Sequence, residues 1–444
     1  MSIQNPTLSS ASTDSTNRTR PAGIPITSFY LPRLTFGVGD RFGCEGAAQL
    51  KAFQDLTQQG VFVHPVWNKS EREHTTIGTE VSSVRSEADT AIQECAWNKP
   101  YFVDADHIKG EIVDKYLPHS DFFTLDVADD LGIHTNEEDA AKYLSSINLQ
   151  AGAIRLDENH ELNLSEEQLM DIAKRFIPAI RKVSELYQRI KSFKKEAPFI
   201  TEVSMDEVDS PQTPEELLFI LAALSHEGVP ADTIAPRFPG RFNKGVEYVG
   251  DVSVFEKSFE AMVKVISYAS FAYSLPAHLK LSIHSGSDKF AIYPVIRSVI
   301  RRNNTGIHIK TAGTTWLEEC IGLGEAGENE WLQSVYTRAL DRWDELCTPY
   351  ASVIDIDRSK LPSLEASSSY SGGQWARILR HEQSCNEYNL NMRQLFHVSY
   401  KIAAEDGEGF KNLLLKHRSC IEKNVHENIY SRHLLPLFGP TSLG

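Results

Sequence analysis

Between residues 27 and 330 the chain alternates short β-rich apolar runs with longer helical stretches, and this alternation constrains the fold more than any other feature. The runs are SFYLPRLTFGVGD, GVFVHPVW, PYFVDADHI, DFFTLDVAD, PFITEVSMDE, DTIAPRFPGRF, LKLSIHSGSD and GIHIKTAG, eight in all. Between them lie SEADTAIQECAW, PEELLFILAALSHEG and SVFEKSFEAMVKVISYASFAYSL, whose length and apolar spacing suit helices. A helix returning the chain to its starting edge makes successive strands parallel. Eight such units predict an α/β fold, a (βα)8 TIM barrel, in preference to a doubly wound open sheet.

The fourth connection, about 130–198, is the long one. Its Leu169, Ile172, Ala173, Phe176, Ile180, Val183, Tyr187 and Ile190 form a 3.6-period stripe, and Pro178 inside that stripe predicts a kink or a break. After residue 330 the strand signal stops. WLQSVYTRALDRWDEL and QWARILRHEQSCNEYNLNMRQLFHVSYKIAAE read as helices and SLEASSSYSGG as a loop between them. The expected organisation is a disordered leader over 1–26, the catalytic barrel over 27–330, and a helical C-terminal extension over 331–444 packed on the barrel. The leader, MSIQNPTLSSASTDSTNRTR, is too poor in apolar groups to offset its ordering entropy and lacks the apolar stretch of a signal peptide.

With 444 residues, 41% of them hydrophobic, there is enough apolar material for one TIM-sized core and an appendage. A formal charge of -15 argues against a nucleic-acid partner, which needs a basic stripe. No apolar run approaches the roughly 20 residues that span a bilayer. The six cysteines form no CxxC pair, which points away from a zinc ribbon or a disulfide framework and towards reduced thiols in the cytoplasm. A homo-oligomer is left open.

A barrel enzyme does its chemistry where strands run into the loops that follow them. Polar groups gather there in this chain: Asp40 and Arg41; Asn68, Lys69 and Glu71; Asp104, Asp106 and His107; Asp126 and Asp129; Glu202 and Asp206; His284; and His308 with Lys310. Asp40 and Asp129 read as helix caps or ion-pair partners. The strand-embedded set is harder to explain so, because buried charges need a partner or a metal. His107, His284 and His308 each follow an apolar strand core. Three ligands with an open position is the pattern of a catalytic metal. Zinc, manganese, cobalt and nickel all accept imidazole, and zinc is the first expectation for this one divalent cation. His308 and Lys310 share a strand face by alternation. Asp106 and Glu202, on separate strands, suit proton transfer beside the metal as base and acid. The plainer readings are that Asp106 orients His107 and that Glu202 is itself a ligand. His397 in LFHVSYK reads as a packing histidine, and GVGDRFG as a turn.

At FGVGDRFG, NKSEREH, FVDADHIK, FFTLDVAD, EVSMDE, RFNKGVEYVGD, LSIHSGSDKFAIYP, HIKTAGTTWLE and RQLFHVSYK, taken in order over about 34–400, the chain resembles the tagaturonate epimerase (UxaE) family. DADH, IHSGSD and IHIK also resemble the metal-binding segments of class II fructose-bisphosphate aldolases, (βα)8 barrels with a three-histidine metal site. That second likeness implies His107, His284 and His308 as ligands, Asp106 as base and Glu202 as acid. No aldolase-type phosphate loop is evident, so a sugar acid fits better than a phosphorylated sugar.

The family resemblance implies D-tagaturonate and D-fructuronate, which differ at the carbon β to the ketone. An aldolase-like route would cleave the adjacent C–C bond and re-form it on the other face of the rotated aldehyde. A transient oxidation would instead need a nicotinamide, for which there is no fingerprint. Arg41, Lys69, Lys289 and Lys310 are the cations expected to meet the substrate's carboxylate and hydroxyls, with Glu71 as a further contact. The alternatives are a true metal aldolase, an epimerase of free ketohexoses, a hydride-shift isomerase, or a non-catalytic sugar-binding barrel.

Overall fold

The computed structural model describes residues 30–440 apart from 209, 312 and 313. The leader expected over 1–26 lies outside the described residues. Among the described residues there are ten strands: β1 (Leu34–Gly39), β2 (His64–Ser70), β3 (Phe102–Ile108), β4 (Phe122–Asp126), β5 (Gly152–Arg155), β6 (Glu161–Leu164), β7 (Ile200–Met205), β8 (Thr233–Pro236), β9 (Lys280–His284) and β10 (Ile307–Lys310). Eight of them close into a parallel barrel in the order β1-β10-β9-β8-β7-β4-β3-β2. Each of the eight apolar runs supplies one barrel strand. β5 and β6 form a separate antiparallel hairpin in the long fourth connection. The period-3.6 reading of that connection left the hairpin out.

Local signals set the helices between the strands. Thr213, Pro214 and Glu216 begin the helix Pro214–His226 with a reciprocal capping box and a proline where no N–H is needed. The helix Glu166–Lys194 runs unbroken through Pro178. Proline at 178 cannot bond the carbonyl of Lys174, and the backbone N–H of Thr135 donates to that oxygen instead, at 3.0 Å. An outside donor thus removes one of the two penalties of a mid-helix proline.

The apolar core has two parts. The larger lies between the strands and their helices, the smaller is Leu31, Val66, Phe102, Phe122 and Ile200, inside the barrel at the N-terminal ends of the strands. Above that plug the interior turns polar. Past β10, helices from Asn329 onward pack on the barrel and one another. Asp288, in the loop after β9, accepts hydrogen bonds from Arg393, His381 and His433 of these helices, at 2.7, 3.1 and 3.1 Å. Among the described residues no helix is long and apolar enough to cross a membrane.

Candidate active site

Three strand ends bring His107 (β3), Asp206 (just past β7) and His284 (β9) together at the C-terminal mouth. One ligand atom from each lies within 4.8 Å of the others. The two imidazole rings meet edge to face, 4.9 Å between centroids. His284 Nε2 donates to Glu202 Oε1 at 2.9 Å, so its Nδ1 faces Asp206 Oδ1 at 3.2 Å. His107 sits where the pairing of β3 with β4 slips between Ala105 and Ile108, and its φ is +50°. Such a conformation costs a non-glycine residue on the order of 1 kcal/mol, and here it re-aims the ring. His107 Nδ1 stands 3.7 Å from Asp126, and its Nε2 stands 3.8 Å from Asp106.

Beneath this set, Lys310 is the hub. Its Nζ lies 2.7 Å from both Asp104 and Asp106 and 3.4 Å from Glu202, and it donates to Thr124 Oγ1 at 2.7 Å. The side chain reaches this position because β1 carries Gly37 opposite it. A Cβ there would stand 3.2 Å from Lys310 Cγ and 2.8 Å from Asn68 Nδ2. Glu202 is wholly buried, and Thr124 and Thr233 also donate to it, at 3.1 and 2.7 Å.

The electrostatics leave room for a cation. Burial pushes each carboxyl up, yet Lys310 holds Asp106 and Glu202 below their ordinary values, and His284 does so for Asp206. Asp104, with burial and the charges of Asp106 and Glu202 against it, rises to about 6. Burial lowers His284, but Asp206 and Glu202 outweigh it and raise the ring to about 10. Five carboxylates (Asp104, Asp106, Asp126, Glu202, Asp206) against two ammoniums, Lys310 and, 3.9 Å from Asp126, Lys109, leave three negative charges before the histidines count. Protonation of both rings would bring that to one. One divalent ion in their place gives the same total, so metal binding with proton release costs the site no net charge. The Nδ1 atoms of His107 and His284 are buried and meet only carboxylates, at 3.7 and 3.2 Å, without well-aligned hydrogen bonds, an arrangement that suits ligand atoms.

The other expected residues lie elsewhere. His308 does not join His107 and His284. It sits one strand repeat below Lys310, donating to or accepting from Thr35 Oγ1 at 2.9 Å and packing against Phe122 of the apolar plug. Burial lowers its pKa to about 3, which keeps it neutral there. Lys69 points outward to Glu87 at 2.8 Å, because the pleat of β2 turns Asn68 inward. Arg41 donates to Glu73 at 2.8 Å and stacks 4.1 Å over Tyr400. Glu71 accepts from Lys115 and Tyr116 at the rim. Lys289 is wholly buried and donates to the carbonyls of Asn243 and Val246 at 2.9 and 2.7 Å. Asp40 caps the turn after β1, accepting from the N–H groups of Phe42, Gly43 and Glu45. Asp129 pairs with Lys109. Two residues were given no role by the sequence: Asn68, named there only among the polar strand-end groups and buried here with neither amide atom hydrogen-bonded, and Lys244.

The model of the UxaE family, tagaturonate epimerase, matches residues 17–435. A tagaturonate/fructuronate epimerase of Thermotoga maritima is 29% identical over 417 residues, which cover 90% of this chain and 79% of the relative. The crystal structure of fructuronate-tagaturonate epimerase UxaE from Cohnella laeviribosi, in native form, superposes with a TM-score of 0.76 at 23% identity, over 92% of this chain and 82% of that one. A glycerol complex of the same enzyme matches equally well, also at 0.76. These likenesses share the barrel, and the family match spans nearly all of it. The chain belongs to the tagaturonate epimerase family, and it is an isomerase of the epimerase class.

Proposed function

We propose that this protein interconverts D-tagaturonate and D-fructuronate by a retro-aldol and aldol sequence, with one divalent cation held by His107, His284 and Asp206. The observation that carries the reading is the cluster of two imidazoles and the Asp206 carboxylate, whose ligand atoms lie within 4.8 Å of one another, directly above the Asp106–Lys310 pair. An imidazole and carboxylate donor set suits zinc first, and manganese, cobalt or nickel next. When bound, the ion polarises the substrate's ketone and favours the enediolate.

Asp106 is the base in this reading. Lys310 keeps it ionised, and it takes the proton from the hydroxyl on the carbon β to the ketone. The resulting alkoxide collapses to an aldehyde as the C–C bond to the α carbon breaks, and that electron pair passes to the ketone as an enediolate. After the aldehyde rotates, the enediolate attacks its other face and the new alkoxide takes back a proton. Asp104, which rises to about 6 and shares Lys310 with Asp106, suits the second proton-holding role better than Glu202 does. Glu202 is held ionised with both oxygens engaged, and its part is to fix the His284 ring. The six cysteines, all free, suit a cytoplasmic setting for hexuronate breakdown.

The test is NMR of metal-loaded protein incubated with D-fructuronate in deuterium oxide, beside an EDTA-stripped control. D-tagaturonate is expected only in the loaded sample, with hydrogen retained at the inverted carbon. Deuterium at that carbon would overturn the retro-aldol route, and undiminished turnover after stripping would overturn the metal.

A further inference from the structure

The cations expected to greet the substrate are engaged within the protein: Arg41 by Glu73, Lys69 by Glu87, Lys310 by Asp104 and Asp106, and Lys289 by backbone carbonyls. Lys244, in the loop after β8, differs. It is half-buried, and among the described residues its ammonium makes neither an ion pair nor a hydrogen bond. Yet the backbone that carries it is fixed on both sides. Lys289 donates to the carbonyls of Asn243 and Val246. The Lys244 N–H donates to Val353 at 2.7 Å, and the Gly245 N–H to Ser287 Oγ at 2.9 Å. Arg393 of the C-terminal helices donates to the Gly245 carbonyl at 2.6 Å. Two fully buried basic side chains therefore order a loop whose own ammonium makes no such contact among the described residues.

That free ammonium lies against the loop that follows His284. A Cβ on Gly286, two residues past His284, would stand 3.0 Å from Lys244 Nζ, and Gly286 has a φ of +65°. Glycine there leaves the Lys244 side chain room to lie against the loop. A second donor packs on the loop that carries Lys244. His397 packs against Gly245, where a Cβ would be 3.4 Å from its own. Arg41 directs an N–H at His397 Nε2 at 3.4 Å, which makes that nitrogen the acceptor. The proton is therefore on Nδ1, which is buried and has no hydrogen-bond partner. Burial and the surrounding Arg41, Lys244, Arg393 and Lys289 keep the ring neutral, so it stays a donor on one side and an acceptor on the other.

We propose that Lys244, with His397 Nδ1–H as its companion, receives the carboxylate of the sugar acid and sets the preference for a uronate over an uncharged ketohexose. The inference rests on the reading of the reaction given above and adds the residue that reads the acid end. It also gives the C-terminal extension a task, since Val353, Arg393 and His397 all come from it. Arg237 is the rival contact, because it too has no ion pair among the described residues and lies against the Asp206 carbonyl at 3.5 Å.

Lys244→Met and Arg237→Met, each metal-loaded, should be compared with wild type on D-fructuronate and on D-fructose. A charge-assisted contact corresponds to about 10- to 100-fold. The ratio of kcat/KM for fructuronate over fructose is expected to fall by that factor in Lys244→Met, mainly through KM, and to recover in part in Lys244→Arg. An equal loss on both sugars, or a uronate-specific loss in Arg237→Met alone, would overturn the assignment. Wild type serves as the control on the reaction itself. If it converts no fructuronate, the functional reading fails, and calorimetric binding of fructuronate to wild type and Lys244→Met still decides the carboxylate contact.

Discussion

Replacing Glu202 by glutamine removes one negative charge from the centre of the barrel while keeping shape and hydrogen-bonding capacity. The carboxylate takes His284 Nε2–H, Thr124 and Lys310 on Oε1, and Thr233 on Oε2. A glutamine whose oxygen takes the Oε1 position still accepts from His284. Its amide then faces Thr233, whose hydroxyl rotates to accept. Lys310 keeps Asp104 and Asp106 at 2.7 Å, so no ammonium is stranded. The stability cost should therefore stay near that of one charge-assisted hydrogen bond, about 1–2 kcal/mol. What is lost is the carboxylate behind the histidine proposed to face the metal, and losing such a partner weakens metal affinity by about 10- to 100-fold, or roughly 1.4–2.7 kcal/mol. Competition with a chromophoric zinc chelator measures the affinity, and thermal unfolding of the same samples shows that the fold is intact. Thr233→Val, which touches only Oε2, should move the affinity by less than about threefold. A folded Glu202→Gln protein with wild-type zinc affinity would refute the role given to Glu202 and with it the orientation of His284.

Three further outcomes are expected. His308→Gln should leave zinc affinity within about threefold of wild type, whereas His284→Gln should cost at least about 100-fold; the reverse pattern in the same chelator assay would restore His308 as a ligand. Lys310→Met strands three buried carboxylates and should destabilise by about 3–5 kcal/mol, with loss of turnover; denaturant midpoints within experimental error of wild type would contradict the hub. Glu45 is buried with neither oxygen hydrogen-bonded, and burial, then Asp40, push its carboxyl up to about 8. Between its ordinary value and about 8 the folded chain holds a proton that the unfolded chain has lost, so stability falls as pH rises through that window. Glu45→Gln removes this linkage, and its gain over wild type in chemical denaturation should grow by at most about 2.5 kcal/mol between pH 5 and pH 7. A gain that does not change with pH would count against the assignment.

The barrel was legible because strand and helix periods are local properties, carried within each run of side chains. So was the polarity of the strand ends, and so was the shared inward face of His308 and Lys310, which follows from alternation within one strand. The depth of each residue in the barrel was not. Strands tilt and stagger when a sheet closes, so equivalent positions at the ends of β3, β9 and β10 come to rest at different heights. His107 and His284 reach the mouth while His308 stops one repeat below, beside Thr35 and Phe122. The slip at Ala105–Ile108 that aims His107 depends on the neighbouring strand, and no pattern inside β3 encodes it. The inward turn of Asn68 in place of Lys69 likewise depends on register with β1 and β3.

Sequence alone therefore determined the architecture, the acidic mouth and the family motifs, all of which depend on residues near one another in the chain. Tertiary structure decided which of those residues meet. Asp206 replaces His308 beside the two histidines, four of the expected cations take partners within the protein, and Lys244 remains free on a loop fixed by Arg393 from almost 150 residues away. Pairings of that kind are set by chain closure and packing, which no local window of sequence contains.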